Sequence, residues 1–197
     1  FYLKLFIFFF LFYGLWNALI IGASWDEPFH HISGIRRLRY LISFGEYQNY
    51  NYLTNRYYPG LFDTLSGLFT SIINKLYPEF LKENFFNIKH LFNFIFASLS
   101  ILGLYKFIKI FTKNKSLALA SCLLTLCNPF FFGHMGINPK DIIVFFSLIW
   151  FLYFFYKYIL NKKDFKNLIL FSFFLGFGCG IRISFFTIIF PILIFGF

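Results

Sequence analysis

Long apolar runs separated by short polar stretches dominate the pattern of this chain. A helix of about 20 apolar residues is long enough to cross the roughly 30 Å hydrocarbon core of a membrane. We interpret the runs at about 3–22, 91–111, 117–133, 142–160, 168–181 and 184–197 as membrane spans. The last two runs meet near Arg182, and one long broken helix is an alternative interpretation there. The pattern predicts a single transmembrane domain over residues 1–197.

Two segments between the first and second spans have an amphipathic pattern instead. Residues 28–44 and 60–76 each place apolar side chains on one helical face and polar side chains on the other. A spanning helix surrounded by lipid is expected to be apolar all round, whereas such a stripe is typical of a helix lying in the membrane interface. We therefore predict two interfacial helices, joined by a polar loop at 45–58.

Composition supports a membrane protein. The chain is 59% hydrophobic and 26% aromatic, and 13% of its residues are charged, whereas about a quarter are charged in soluble domains. The fold class we predict is an all-α polytopic membrane protein. The net charge of +10 is concentrated in turns that flank apolar runs, so we expect no nucleic acid partner.

The distribution of lysines predicts the topology, because basic turns are retained on the cytoplasmic side. Lysines cluster at the end of the second predicted span and just after it, and again at the end of the fourth span and just after it. They are Lys106, Lys109, Lys113, Lys115, Lys157, Lys162, Lys163 and Lys166. Both turns are cytoplasmic only if residues 60–76 do not cross the membrane. Residues 24–88 and 134–141 then face the periplasm or exterior of a multi-pass cell-membrane protein.

The first candidate site follows the first span, where Asp26, Glu27, His30 and His31 lie close together. A carboxylate at this position could deprotonate an acceptor or hold a divalent cation. The alternative is that Asp26 or Glu27 only caps the helix that Pro28 opens.

The second candidate site is the predicted outer turn with His134, Asn138, Lys140 and Asp141. Lys140 offers a cation to a phosphate, and Asp141 offers another carboxylate. An ordinary polar turn between two spans is the alternative, but two such clusters on one face favour a functional role.

Arg182 and Tyr58 complete the candidate residues. An arginine within an apolar run usually faces a cavity or an anionic partner, although it could also extend to the interface from a helix end. Tyr58, just before a Pro-Gly pair, could stack on a sugar ring or serve as an interfacial anchor.

Together these residues resemble the N-terminal part of the polyprenyl-phosphate-dependent membrane glycosyltransferases. This group includes the dolichyl-phosphate-mannose–protein mannosyltransferases and the aminoarabinose transferases, which share the C-type glycosyltransferase helix bundle. The resemblance is carried by Trp25-Asp26-Glu27, the two interfacial helices in the first outer loop, the turn from His134 to Asp141, and Gly180-Ile181-Arg182. Because members of the family are longer, we expect this chain to be part of a longer protein.

The resemblance implies transfer of a sugar from a polyprenyl-phosphate carrier to a lipid, glycan or protein acceptor outside the cytoplasmic membrane. It implies that Asp26 is the catalytic carboxylate, that Glu27 and Asp141 are accessory acids, and that Lys140 and Arg182 neutralise the leaving phosphate. Further candidates for substrate binding are His134, Asn138, Tyr58 and His30.

The resemblance implies no nucleotide or organic cofactor, and a divalent metal at Asp26 and Asp141 stays open. A transporter or flippase for an anionic lipid or solute is the competing class, because it would also explain Arg182 and the basic interfacial helices. A non-catalytic scaffold would leave both acidic clusters unexplained.

Overall fold

A computed structural model describes residues 1–47 and 59–195. Within these ranges every regular element is a helix, which confirms the all-α fold class. In chain order they are α1 (Tyr2–Ile20), α2 (Glu27–Ile42), α3 (Leu61–Leu76), α4 (Pro78–Thr112), α5 (Lys115–Cys127), α6 (Pro129–His134), α7 (Asp141–Leu160), α8 (Phe165–Ile181) and α9 (Ser184–Phe195).

Among the described helices, α1, α4 and α7 are long and apolar enough to cross a membrane. Helices α5, α8 and α9 are apolar but shorter. The chain is therefore an all-α polytopic membrane protein in its architecture.

Several helix bounds differ from the sequence-based prediction. α4 begins at Pro78 rather than near residue 91, and it bends at Asn84, whose backbone is not helical (φ −116°, ψ 24°). The predicted run 117–133 is divided between α5 and α6. Asn128 causes this division, because its side chain accepts hydrogen bonds from the backbone N–H groups of Phe130 and Phe131 and so starts a new helix.

The predicted interfacial segments 28–44 and 60–76 correspond to helices α2 and α3. These two helices cross closely at glycines. A Cβ on Gly34 would collide with the backbone carbonyl of Asp63, and one on Gly67 would lie 3.0 Å from the carbonyl carbon of Gly34. The crossing brings α2 and α3 together as one layer.

Apolar packing beneath this layer forms two clusters. The larger cluster joins α1, α4, α5 and α7 through residues such as Ala97, Leu126 and Ile143, which are all fully buried. The smaller cluster joins α7, α8 and α9 around Phe151 and Phe185. The bundle thereby holds the end of α1, the part of α4 after its bend, the start of α7 and the end of α8 in fixed relative positions, and the polar residues of the site lie there.

Candidate functional site

Asp26 lies in the loop between α1 and α2 and is exposed. Its side chain is 58% accessible, and it makes no capping hydrogen bond to the start of α2. Instead Asp26 Oδ1 accepts a hydrogen bond from Ser24 Oγ at 3.0 Å, and Oδ2 lies 3.3 Å from His30 Nε2. The geometry therefore favours an exposed, oriented carboxylate over the alternative of a helix cap.

Two opposing effects act on the ionisation of Asp26. Partial burial raises the pKa of this carboxyl group, but its hydrogen bonds, above all the one from Ser24, outweigh burial and lower the pKa below its ordinary value. Asp26 is thus ionised at neutral pH and can accept a proton.

Glu27, the next residue, is buried, with 3% of its surface accessible. Its Oε2 accepts a hydrogen bond from the backbone N–H of Ser24 at 2.6 Å, and its Oε1 lies 2.8 Å from His90 Nε2. Burial raises the pKa of Glu27, but the contact with His90 and the Ser24 hydrogen bond more than offset this and lower it. Both oxygens are engaged within the protein, and the predicted role of Glu27 as an accessory acid stays a prediction.

His90 on α4 is fully buried and ties the loop to the bundle. Its other ring nitrogen, Nδ1, lies 3.1 Å from the carbonyl oxygen of Ala18 near the end of α1. The neighbouring Lys89 donates from Nζ to the carbonyl oxygen of Glu27 at 3.2 Å. Adjacent residues of α4 therefore fix the end of α1 and the start of α2.

His30 lies on the buried face of α2, where its side chain is 8% accessible. Its Nδ1 is 3.2 Å from Oδ2 of Asp63 on α3, a carboxylate that is itself 6% accessible. His30 is thus placed between one exposed and one buried carboxylate.

Asn138 organises the second cluster, the turn between α6 and α7. Its Oδ1 accepts hydrogen bonds from the backbone N–H groups of Lys140 and Asp141, at 3.0 and 2.9 Å. Its Nδ2 lies 2.9 Å from Asp141 Oδ2 and 3.0 Å from His134 Nδ1. These contacts give Asn138 and His134 a role in shaping the turn, and their predicted role in substrate binding stays a prediction.

Arg182 lies between α8 and α9 and contacts this turn. Its Nη2 is 3.0 Å from Asp141 Oδ1, and the side chains of the two residues are 37% and 36% accessible. The Nε atom of Arg182 is buried without a hydrogen-bond partner. The guanidinium group therefore has an anionic partner within the protein and still has donor capacity to spare.

α4 brings the two clusters together. Lys89 and His90 contact the Glu27 region, and one turn later Asn93 Nδ2 donates to the carbonyl oxygens of Met135 and Asn138, both at 3.1 Å. The loop between α1 and α2 and the turn before α7 therefore lie side by side.

Small cavities lie at the boundary between the two clusters. One of about 20 Å³ is lined by Glu27, His30, Asp63, Lys89, Asn93 and Pro139, among others. Another of about 10 Å³ is lined by Asp63, Pro139, Lys140 and Ile181. The first has room for about one water molecule. Asp63 lines both cavities and therefore lies between the Glu27 region and the Lys140 region.

Four residues of this site were given no role in the sequence analysis: Ser24, Asp63, His90 and Asn93. Asp63 is one of the polar positions of the predicted amphipathic segment 60–76, His90 immediately precedes the predicted span 91–111, and Asn93 lies within that span. His90 and Asn93 carried a weak signal, since polar residues within an apolar helix often face a functional interior. Tyr58 lies outside the described residues.

A divalent metal does not fit the described side chains as they are arranged. Among residues 1–47 and 59–195 no group of three or more His, Cys, Asp or Glu side chains could hold a metal ion. The predicted ligands are Asp26 and Asp141. The carboxylate oxygens of Asp26 lie beside Ser24 and His30. Those of Asp141 lie beside Arg182 and Asn138.

Comparison with known protein families finds a match over residues of α3 and everything after it. Residues 65–197, more than half of the chain, match the family described as dolichyl-phosphate-mannose-protein mannosyltransferase. No curated protein and no solved structure shows significant similarity to the chain. The matched part contains the turn, Asp141, Arg182 and the α4 residues that hold both clusters, whereas Asp26 and Glu27 precede it. The chain belongs to the dolichyl-phosphate-mannose-protein mannosyltransferase family of membrane glycosyltransferases.

Proposed function

We propose that this protein transfers a sugar from a polyprenyl-phosphate carrier to an acceptor on the non-cytoplasmic side of the membrane. The observation that supports the proposal is that neighbouring residues of α4 bind both the Asp26 loop and the turn before α7, whose Asp141 pairs with Arg182. A transferase of this kind needs a base for the acceptor and cations for the leaving phosphate.

Asp26 serves as the base for the acceptor hydroxyl or amide. It is the exposed member of the acidic pair, it is ionised at neutral pH, and Ser24 holds it in one orientation. As the acceptor oxygen or nitrogen attacks the anomeric carbon, its proton passes to Asp26 Oδ2. Attack on the side opposite the phosphate inverts the configuration of the sugar.

Arg182 and Lys140 stabilise the leaving phosphate. Asp141 holds one edge of the Arg182 guanidinium, and the remaining N–H groups can donate to phosphate oxygens in a planar fork. Glu27 acts indirectly, because its hydrogen bonds with Ser24 and His90 hold the loop that carries Asp26.

Consumption of a lipid-linked sugar by the purified full-length protein tests the function. We expect a radiolabelled polyprenyl-phosphate sugar to be converted to free carrier phosphate and glycosylated acceptor in detergent or nanodiscs. In sealed proteoliposomes, movement of the intact lipid-linked sugar between leaflets without its consumption would refute the transferase proposal and support a flippase.

A further inference from the structure

His30 occupies a position that binding of substrate does not explain. It lies between two carboxylates from separate elements, with Nδ1 3.2 Å from Asp63 Oδ2 and Nε2 3.3 Å from Asp26 Oδ2. The accessible fractions of the side chains fall from 58% at Asp26 to 8% at His30 and 6% at Asp63. The three side chains therefore form a line from the exposed site into the interior.

The position of the imidazole proton on His30 decides whether a proton can move along this line of side chains. A neutral imidazole has one N–H, so it donates through one nitrogen and accepts through the other. An ionised carboxylate can only accept. Asp63 is buried and pairs with Nδ1 at hydrogen-bonding distance, and donation from Nδ1–H satisfies this carboxylate. The lone pair on Nε2 is then left facing Asp26.

We propose that Asp63 and His30 form a proton relay behind Asp26. The inference rests on the proposed function. Asp63 is a positioning residue that holds the Nδ1–H tautomer of His30, and His30 removes from Asp26 the proton that Asp26 takes from the acceptor.

The proton balance of the relay is complete. The acceptor O–H or N–H bond breaks and an O–H bond forms at Asp26 Oδ2, while the acceptor displaces the carrier phosphate from the sugar. The Asp26 O–H bond then breaks as an N–H bond forms at His30 Nε2, which restores the Asp26 carboxylate. The resulting imidazolium later loses this proton to solvent through Asp26, and no oxidant, reductant or further reactant is needed.

The charges around His30 suit this role. Asp26 and Glu27 face the ring from the start of α2, Asp63 faces it from α3, and Lys89 of α4 lines the same cavity. Lys89 thereby offsets part of the negative charge that the carboxylates place around the ring. A purely structural His30–Asp63 contact that joins α2 to α3 is the simpler alternative, and the two can be separated experimentally.

Nitrogen NMR of the wild-type protein provides the first test. The chain has four histidines, so protein labelled with ¹⁵N-histidine gives few signals, and His30→Gln identifies those of His30. In the resting full-length protein, at the pH of maximal transfer, we expect His30 as the neutral Nδ1–H tautomer. The Nε2–H tautomer, or an imidazolium at rest, would overturn the relay without any need for a variant at Asp63.

Kinetics of Asp63→Asn provide the second test. An amide no longer holds one tautomer of His30, so we expect kcat to fall about tenfold or more, with donor KM changed less than about twofold, and the His30 nitrogen signals to shift. Asp164→Asn is the matched control, since Asp164 caps α8 far from the site in sequence and asparagine can still cap.

The outcomes distinguish the relay from the function on which it rests. If folded Asp63→Asn keeps kcat within about twofold of wild type, the relay is wrong but the transferase stands. If wild-type protein consumes no lipid-linked sugar, the proposed function is wrong, whatever the tautomer of His30. Should Asp63→Asn fail to fold, the nitrogen spectrum of the wild type decides.

Discussion

Asp26 and Glu27 are neighbours in the chain but have opposite environments. Asp26 is mainly exposed and touches Ser24 and His30, whereas Glu27 is buried against His90. At the start of a helix, successive side chains point in directions about 100° apart, so one can face the site while the next faces the bundle. The exposed member is the one available to a substrate.

Asp26→Asn therefore provides the test of the base. We expect transfer to fall about 10²–10⁴-fold, the usual contribution of a positioned general base, because an amide cannot accept the acceptor proton. Since Asp26 makes no capping hydrogen bond, the free energy of unfolding should change by less than about 1 kcal/mol. Radiolabelled donor turnover and thermal unfolding measure the two quantities.

The matched control for Asp26→Asn is Glu46→Gln, which removes an exposed carboxylate after α2 and should leave turnover unchanged. Retention of most activity by Asp26→Asn would remove the base from the mechanism.

His31 makes the stability of the protein sensitive to acid. Burial and, secondarily, the charge of Lys89 lower the pKa of His31 from 6.5 to about 4, and its buried Nδ1 lacks a hydrogen-bond partner. The unfolded chain therefore binds a proton below pH 6.5 that the folded protein does not bind until about pH 4. The free energy of unfolding is then lost as the pH falls through this window.

We expect His31→Phe to flatten this acid dependence. Phenylalanine cannot be protonated and can keep the edge-to-face contact with Phe85. The melting temperature of wild type should fall between pH 6.5 and pH 5, whereas that of the variant should fall less. His134→Phe, at a partly exposed histidine, should retain the wild-type slope, and an equal slope in His31→Phe would contradict the assignment.

At the scale of elements, the crossing of α2 and α3 sets the distance between His30 and Asp63. Gly34 lies one helical turn after His30, and Gly67 lies one turn after Asp63, so the glycines and the polar pair share one contact face. Without side chains at the crossing, the helices approach closely enough for the short Asp63 side chain to reach the ring.

Gly34→Ala should therefore destabilise the protein and separate the polar pair. The new Cβ would collide with the backbone of Asp63, and overpacking of this kind costs about 1–3 kcal/mol. Thermal unfolding and the His30 nitrogen signals measure the two effects. Gly176→Ala is the matched control, since nothing lies within 4 Å of its new Cβ, and it should be neutral or stabilising.

The break between α8 and α9 places Arg182 beside Asp141. The backbone of Arg182 is extended (φ −145°, ψ 130°), which directs its side chain to the turn before α7 instead of continuing the helix. An ion pair this accessible contributes at most about 1 kcal/mol to stability. The Arg182–Asp141 contact is therefore better explained by a role in binding a ligand than by a contribution to the stability of the fold.

Substitutions at Arg182 should affect the donor more than the fold. Arg182→Lys keeps the charge but loses the planar fork, so we expect a raised donor KM with residual turnover, and Arg182→Leu should abolish donor binding. Binding of labelled polyprenyl phosphate measures this, with Arg39→Leu on the exposed side of α2 as control. Wild-type binding by Arg182→Leu would exclude Arg182 from the donor site.

For the whole molecule, the membrane topology is open to direct measurement. We predict that Glu46, after α2, faces the exterior and that Lys113, after α4, faces the cytoplasm, because lysines cluster around residues 106–115 and 157–166. Single cysteines at these positions, in a background without the three native cysteines, should be labelled from opposite sides by an impermeant maleimide. Labelling of both from one side would refute the topology.

Much of the helical architecture is determined by the sequence itself. Apolar runs and the two amphipathic stripes predict helices near α1, α2, α3 and α7, because helical periodicity is a local property of the chain. Asn128-Pro129 is also a local signal for the start of a new helix. It lies within an apolar run, which is why the sequence pattern predicted a single span there.

Only some residues of the site could be identified from the sequence. Asp26 and Asp141 stand out because acidic residues are scarce in this chain, with eight Asp and Glu against 18 Lys and Arg. Arg182 stands out because an arginine within an apolar run is costly. Asp63 and His90 do not stand out, since each fits the ordinary pattern of its own helix.

Only the tertiary structure decided which of these side chains meet. His30 and Asp63 are 33 residues apart, and Glu27 and His90 are 63 apart. Their contacts depend on how closely α2 crosses α3 and on where α4 passes the end of α1. Such distances follow from the packing of whole helix faces and from glycines at the crossing, which no local pattern of polar and apolar residues specifies.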